Sequence, residues 1–137
     1  MTSESQAAIP AMFTKIIVDD EEKMASYYSE VYGLKVTHRV SGEAGGLGEP
    51  FREVMLATSD GSNQSLVMFK FVDRPAPRDQ QIIAGFVTDD IESLSRAIVS
   101  AGGKLCGDIN DMPEHGVRVL FSEDPEGALC ENVQVIQ

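Results

Sequence analysis

Apolar positions change their spacing twice along this chain, in the same order each time. Ala11 to Val18 is a short run rich in β-branched residues, which predicts a strand. From Asp20 onward the rhythm becomes helical, with Met24, Tyr27, Tyr28, Val31 and Leu34 on one stripe. Asp19 or Asp20 suits the N-cap, Glu21 and Glu22 complement the positive end of the helix dipole, and Gly33 supplies a left-handed stop. Lys35 to Val40, Phe51 to Thr58 and Ser65 to Phe71 then read as three further strands. A glycine-rich loop, Ser41 to Pro50, and a turn at Ser59 to Asn63 separate them.

The prolines of Asp73 to Asp79 mark a linker, and the pattern then starts again. Gln81 to Thr88 is a strand. Ile91 to Ala101 is a helix with Ile91, Leu94, Ile98 and Ala101 as its apolar stripe, capped by Asp89 or Asp90 and closed by Gly102-Gly103. Lys104 to Ile109, Val117 to Phe121 and Leu129 to Ile136 are strands, with a loop at Asn110 to His115 and a tight turn at Asp124 to Gly127. Each half is therefore β-α-β-β-β. The fold class is α+β: two such modules, 11–72 and 80–137, in one domain over 11–137 behind a loose tail at 1–10. The last three strands of a module can form an antiparallel meander with its helix on one face. Two bare faces would then make a cupped mixed sheet with one helix per module on the outside.

Length and composition fit one domain with a real core, since the chain has 137 residues of which 42% are hydrophobic. The formal net charge of −11 argues against nucleic acid or an anionic membrane surface as partner and is compatible with steering of cationic ligands. No apolar run reaches the length of a membrane span, and Met1 to Ala8 lacks the basic-then-apolar order of a signal peptide. A cytoplasmic protein is the expectation. Cys106 and Cys130 fall in strands and read as free thiols. Gly45-Gly46-Leu47-Gly48 does not join a strand to a helix, so it is no phosphate cradle but a hairpin loop or a lid.

The segment Asp20 to Tyr28, with Val31-Tyr32-Gly33-Leu34 after it, resembles the first-helix signature of the vicinal oxygen chelate superfamily, the glyoxalase, bleomycin-resistance protein and extradiol dioxygenase group. Asp89-Asp90 through Gly102-Gly103, and Asp124-Pro125-Glu126-Gly127 with Glu131, resemble its second helix and its ending. The resemblance covers nearly everything after the tail. It implies four ligand places on four strands, suited to a divalent ion that polarises a bidentate oxygen substrate. By spacing, those places hold Phe13, a residue near Met68, Ile83 and Glu131. Three are apolar, and neither His38 nor His115 falls at such a place. No metal and no cofactor are expected.

Strand alternation from the same places gives an expected lining of Phe13, Lys15, Ile17, Leu66, Met68, Lys70, Ile83, Gly85 and Glu131. That is an apolar bowl with few charges, the usual character of a small-molecule pocket. Glu131 has three readings: paired with Lys15, Lys70 or Arg118; anchoring a ligand amine or hydroxyl; or acting as a general base. The leading expectation is a metal-independent small-molecule-binding protein of the sequestering kind. A metal-independent isomerase or lyase with Glu131 as catalytic base is the alternative, followed by a metal-dependent dioxygenase or glyoxalase-type lyase. The resemblance also implies a homodimer with clefts near the subunit boundary.

Overall fold

The computed structural model describes Ile9 and residues 11–63 and 65–136, so most of the tail expected at 1–10 lies outside the described residues. Two four-stranded mixed sheets form, one per half. In the first, β1 (Thr14–Ile17), β2 (Lys35–Gly42), β3 (Phe51–Ala57) and β4 (Leu66–Phe71) lie in the order β1-β4-β3-β2. In the second, β5 (Ala84–Val87), β6 (Lys104–Met112), β7 (Val117–Glu123) and β8 (Leu129–Val135) lie in the order β5-β8-β7-β6. The expected meanders are present, and in each sheet the first strand joins the last in parallel.

The helices α1 (Glu21–Tyr32) and α2 (Ile91–Ser100) begin where the sequence pattern placed them. Asp20 and Asp90 are the caps, accepting from the backbone N–H groups of Lys23 and Ser93 at 3.0 Å each. Asp19 does other work: it accepts from Ala76 N and from the Arg78 guanidinium, tying the linker down. The strands depart from expectation mainly at their ends. β1 and β5 are shorter than the apolar runs that announced them. β6 runs on through Asn110 to Met112, because a bulge after Cys106 lets pairing resume at Asn110 opposite Val119.

The helix-bearing faces of both sheets meet in one core. Met24, Tyr28 and Val31 of α1, Leu94 and Ile98 of α2, Val54, Leu56 and Met68 of the first sheet and Cys130 of the second are buried together. Side chains of α1 cross to the second sheet. The Tyr32 ring stacks on Phe86 with centroids 3.7 Å apart, and its hydroxyl donates to Asn132 Oδ1 at 2.7 Å. Asn132 donates in turn to the Leu120 carbonyl and to Ser122 Oγ, at 3.0 Å each. The Asn132 amide, fully buried, is thus hydrogen-bonded through both its oxygen and its nitrogen, as a buried polar group must be. No helix among the described residues is long and apolar enough to cross a membrane.

Candidate functional site

With both helices inside that core, the other face of each sheet turns outward. On the first sheet, Phe13, Lys15 and Ile17 stand on this open side, while Ile16 and Val18 pack into the core. Lys15 pairs in register with Val67, and Ile17 with Phe69, so Val67, Phe69 and Phe71 share the open face. Phe51, Glu53 and Met55 join them from β3, and His38 and Val40 from β2. Phe51 and Phe69 stack with centroids 5.5 Å apart and planes 2° apart.

This arrangement corrects the expected lining of β4. Leu66 and Met68 belong to the helix-side core. Lys70 is the register partner of Arg52, which reaches back to Glu21 of α1 at 2.7 Å, so Lys70 also lies on the helix side. A strand has a period of two, so an error of one residue turns every side chain to the opposite face. The ligand place near Met68 falls instead at Val67, which relates to Lys15 as Glu131 relates to Gly85.

The polar centre of the first open face is a residue the sequence reading passed over. Glu53 is only 6% exposed, and its Oε1 accepts from Lys15 Nζ at 2.8 Å. The lysine crosses β4 to reach it, with Nζ 4.9 Å from the centroid of Phe69 and 6.0 Å from that of Phe13. Alternation held the signal for Glu53, which shares its face with Phe51 and Met55 as a lone charge among apolar neighbours.

On the second sheet, Glu131 stands on the open face between Leu129 and Val133, with Phe121 beside it on β7 and Gly85 beside it on β5. Among the described residues it has no hydrogen-bond or ion-pair partner. None of its three expected partners meets it: Lys15 is held by Glu53, Arg118 by Asp111 and Glu92, and Lys70 lies on the helix side of the first sheet. Ile83 is 48% exposed at the edge of the same sheet. Cys106 is exposed on β6, and Cys130 is buried in the core, where burial pushes its thiol up to about 11.

Two cavities lie on the seam between the modules, each bordered by Thr14 of β1 and Ala84 of β5. One, of about 530 Å³, is walled by Tyr32, Leu34, Leu56, Leu66 and Phe86. The other, of about 380 Å³, runs under the linker past Arg78, Gln80 and Asp124. Glu131 and Phe69 line neither.

Four equivalent places, just before β1 and β5 and on β4 and β8, hold Phe13, Ile83, Val67 and Glu131. One carboxylate in such company does not fit a catalytic divalent ion. Among the described residues no three His, Cys, Asp or Glu side chains come together to hold one.

Residues 11–131 match the model of a family described as Glyoxalase/Bleomycin resistance protein/Dioxygenase superfamily. No curated protein matches the chain. Among solved structures, a glyoxalase family protein from Bacillus cereus superposes with a TM-score of 0.82 at 19% identity, over 99% of this chain and 100% of that one. Glyoxalase I from Zea mays gives 0.73 at 18% identity over 92% of this chain, which spans 44% of the maize chain. The trypanothione-dependent glyoxalase I of Leishmania major gives 0.70 at 18% identity, over 93% and 87% of the two chains. At these identities the likeness is one of fold.

Proposed function

The chain belongs to the Glyoxalase/Bleomycin resistance protein/Dioxygenase superfamily, and we propose that within it this protein binds a small organic molecule, without a metal ion, in a cup completed by a second copy of itself. The observation that carries this reading is the pair of open sheet faces. Each is largely apolar with few placed charges, as ligand-binding walls are. The shared helix core turns both outward, so they cannot close on one another within the chain. Exposed apolar groups mark both: Phe13 is 63% exposed on the first and Val87 77% on the second. A two-fold axis that brings the first sheet of one copy against the second sheet of the other covers both faces at once and closes the assembly.

The remaining donor set supports sequestration over metal-assisted chemistry, because Glu131 alone among the four places can ligate. The free thiols of Cys106 and Cys130 suit a cytoplasmic setting. Analytical ultracentrifugation should find a dimer. Plasma emission analysis of protein purified without chelator should find well under one divalent ion per chain. A thermal-shift screen of small aromatic compounds should raise the melting temperature for some of them. A monomer, or one tightly held ion per chain, would overturn the reading.

A further inference from the structure

Resting on that shared cup, we propose that its ligand is a small, flat organic cation, its charge met by Glu131 and its ring system by phenylalanine side chains. Three charges stand near the middle of the two open faces: Lys15, Glu53 and Glu131. Lys15 and Glu53 neutralise each other at 2.8 Å. Glu131 has no partner among the described residues. Its neighbour in register, Gly85, has no side chain, and a Cβ placed there would meet only the Glu131 carbonyl oxygen, 4.0 Å away. The carboxylate thus stands beside an open notch, with Leu129, Val133 and Phe121 as its remaining neighbours on the face. Once a second sheet covers it, a carboxylate in such surroundings carries a large desolvation cost unless a positive group meets it. An ammonium or amidinium on the ligand supplies that group with a charge-assisted hydrogen bond.

The aromatic residues favour the same ligand. Lys15 Nζ already rests 4.9 Å from the Phe69 ring, so the first sheet accepts a cation on that ring from within its own chain. Phe51 stacks against Phe69 with planes 2° apart and holds that ring in place. An anionic ligand would find Lys15 already engaged and Glu131 opposing it. Two further lysines stand on these faces but at their ends: Lys35 is the first residue of β2, and Lys104 lies opposite Glu123 in register. Both are solvent-exposed, where water and salt screen them. The chain's net charge of −11 adds long-range attraction for a cation.

The test is calorimetric titration of the dimer with three probes that share one ring system: 2-naphthylmethylamine, 2-naphthylmethanol and 2-naphthoate, which at pH 7 are a cation, a neutral molecule and an anion. The amine is expected to bind about tenfold more tightly than the alcohol, and the carboxylate more weakly than either. Glu131→Gln should bring the amine down to the level of the alcohol and leave the alcohol unchanged. Glu53→Gln, which keeps the shape but frees the charge of Lys15, should do the same. The double variant should reverse the order in favour of the carboxylate. Equal affinity of the wild type for all three probes would overturn the cation assignment and leave the cup standing. So would a Glu131→Gln variant that loses all three alike, since the carboxylate would then only hold the shape. Failure of all three to bind the dimer would instead bring down the shared cup itself.

Discussion

Tyr28 of the first helix donates its phenolic hydrogen to Asp124 Oδ2 at 2.7 Å, joining positions 96 residues apart in the chain. The other oxygen of Asp124 accepts from the backbone N–H groups of Glu126 and Ala128, at 2.9 and 3.0 Å, and so shapes the Asp124 to Gly127 turn. Glu126 in that turn accepts from Asp19 N and Asp20 N at the head of α1. One network, buried at Tyr28 and Asp124 and reaching the surface at Asp20, thus fixes the first helix to the last turn and ties the two modules together. Tyr28→Phe should keep the ring packing and lose the hydroxyl, at a cost of about 1.5–3 kcal/mol for a bond to a charged acceptor. Urea denaturation of the two proteins measures it. An unchanged midpoint would show that the network does not bind the modules.

Alkaline conditions should loosen the same core. The ordinary thiol value of 9.0 rises to about 11 at Cys130, chiefly through burial. Burial also pushes the hydroxyls of Tyr27, Tyr28 and Tyr32 above their ordinary value of 10.0. The folded protein therefore keeps these protons at pH values where the unfolded chain releases them, and above pH 9 the unfolded state binds fewer protons. Stability is whole below pH 9 and falls as pH rises from there, by about 2–3 kcal/mol from Cys130 at the top of its range, and more steeply once the tyrosines join. Unfolding free energies at pH 8, 9 and 10 should trace this fall, and Cys130→Ala should flatten its first part.

The ion pair on the open face makes a separate prediction. Lys15→Met strands Glu53 on an apolar surface. With Lys15 itself 38% exposed, the cost should be about 1–3 kcal/mol, below that of a fully buried pair. Replacing both, Lys15→Met with Glu53→Leu, should recover most of that loss. If the double variant is no more stable than the single one, Glu53 is not the reason for the penalty.

Gly103 is required by close approach. A Cβ there would lie 2.5 Å from the Tyr27 hydroxyl, 2.9 Å from the Glu123 carbonyl oxygen and 2.9 Å from the Ile98 side chain. Gly103→Ala should lower stability by about 1–3 kcal/mol through overpacking where α2 meets α1 and β7. Gly46→Ala, at a position with nothing within 4 Å, is the control and should change little.

How much of the candidate site could be read beforehand differs from strand to strand. On β1 the alternation of Phe13, Lys15 and Ile17 against Ile16 and Val18 carries its own phase, and the structure keeps it. β4 reads Leu-Val-Met-Phe-Lys-Phe, apolar on both faces, so nothing within it says which set faces the helix. Lys70 invites the wrong answer, since a lone lysine suggests the open side. It lies half-buried on the helix side, near Asp19 and opposite Arg52.

By itself the sequence determined the two βαβββ modules and the capped helices that follow Asp20 and Asp90. These rest on local spacing and residue chemistry, which need no knowledge of distant contacts. Only the tertiary structure decided that both helices share one core and turn the open faces outward, that Glu53 claims Lys15, and that Glu131 stands beside an empty notch. Those outcomes depend on contacts between residues far apart in the chain, such as Tyr28 with Asp124 and Tyr32 with Asn132. Periodicity assigns a side chain to one of two faces; what lies across from that face is set by how the modules pack.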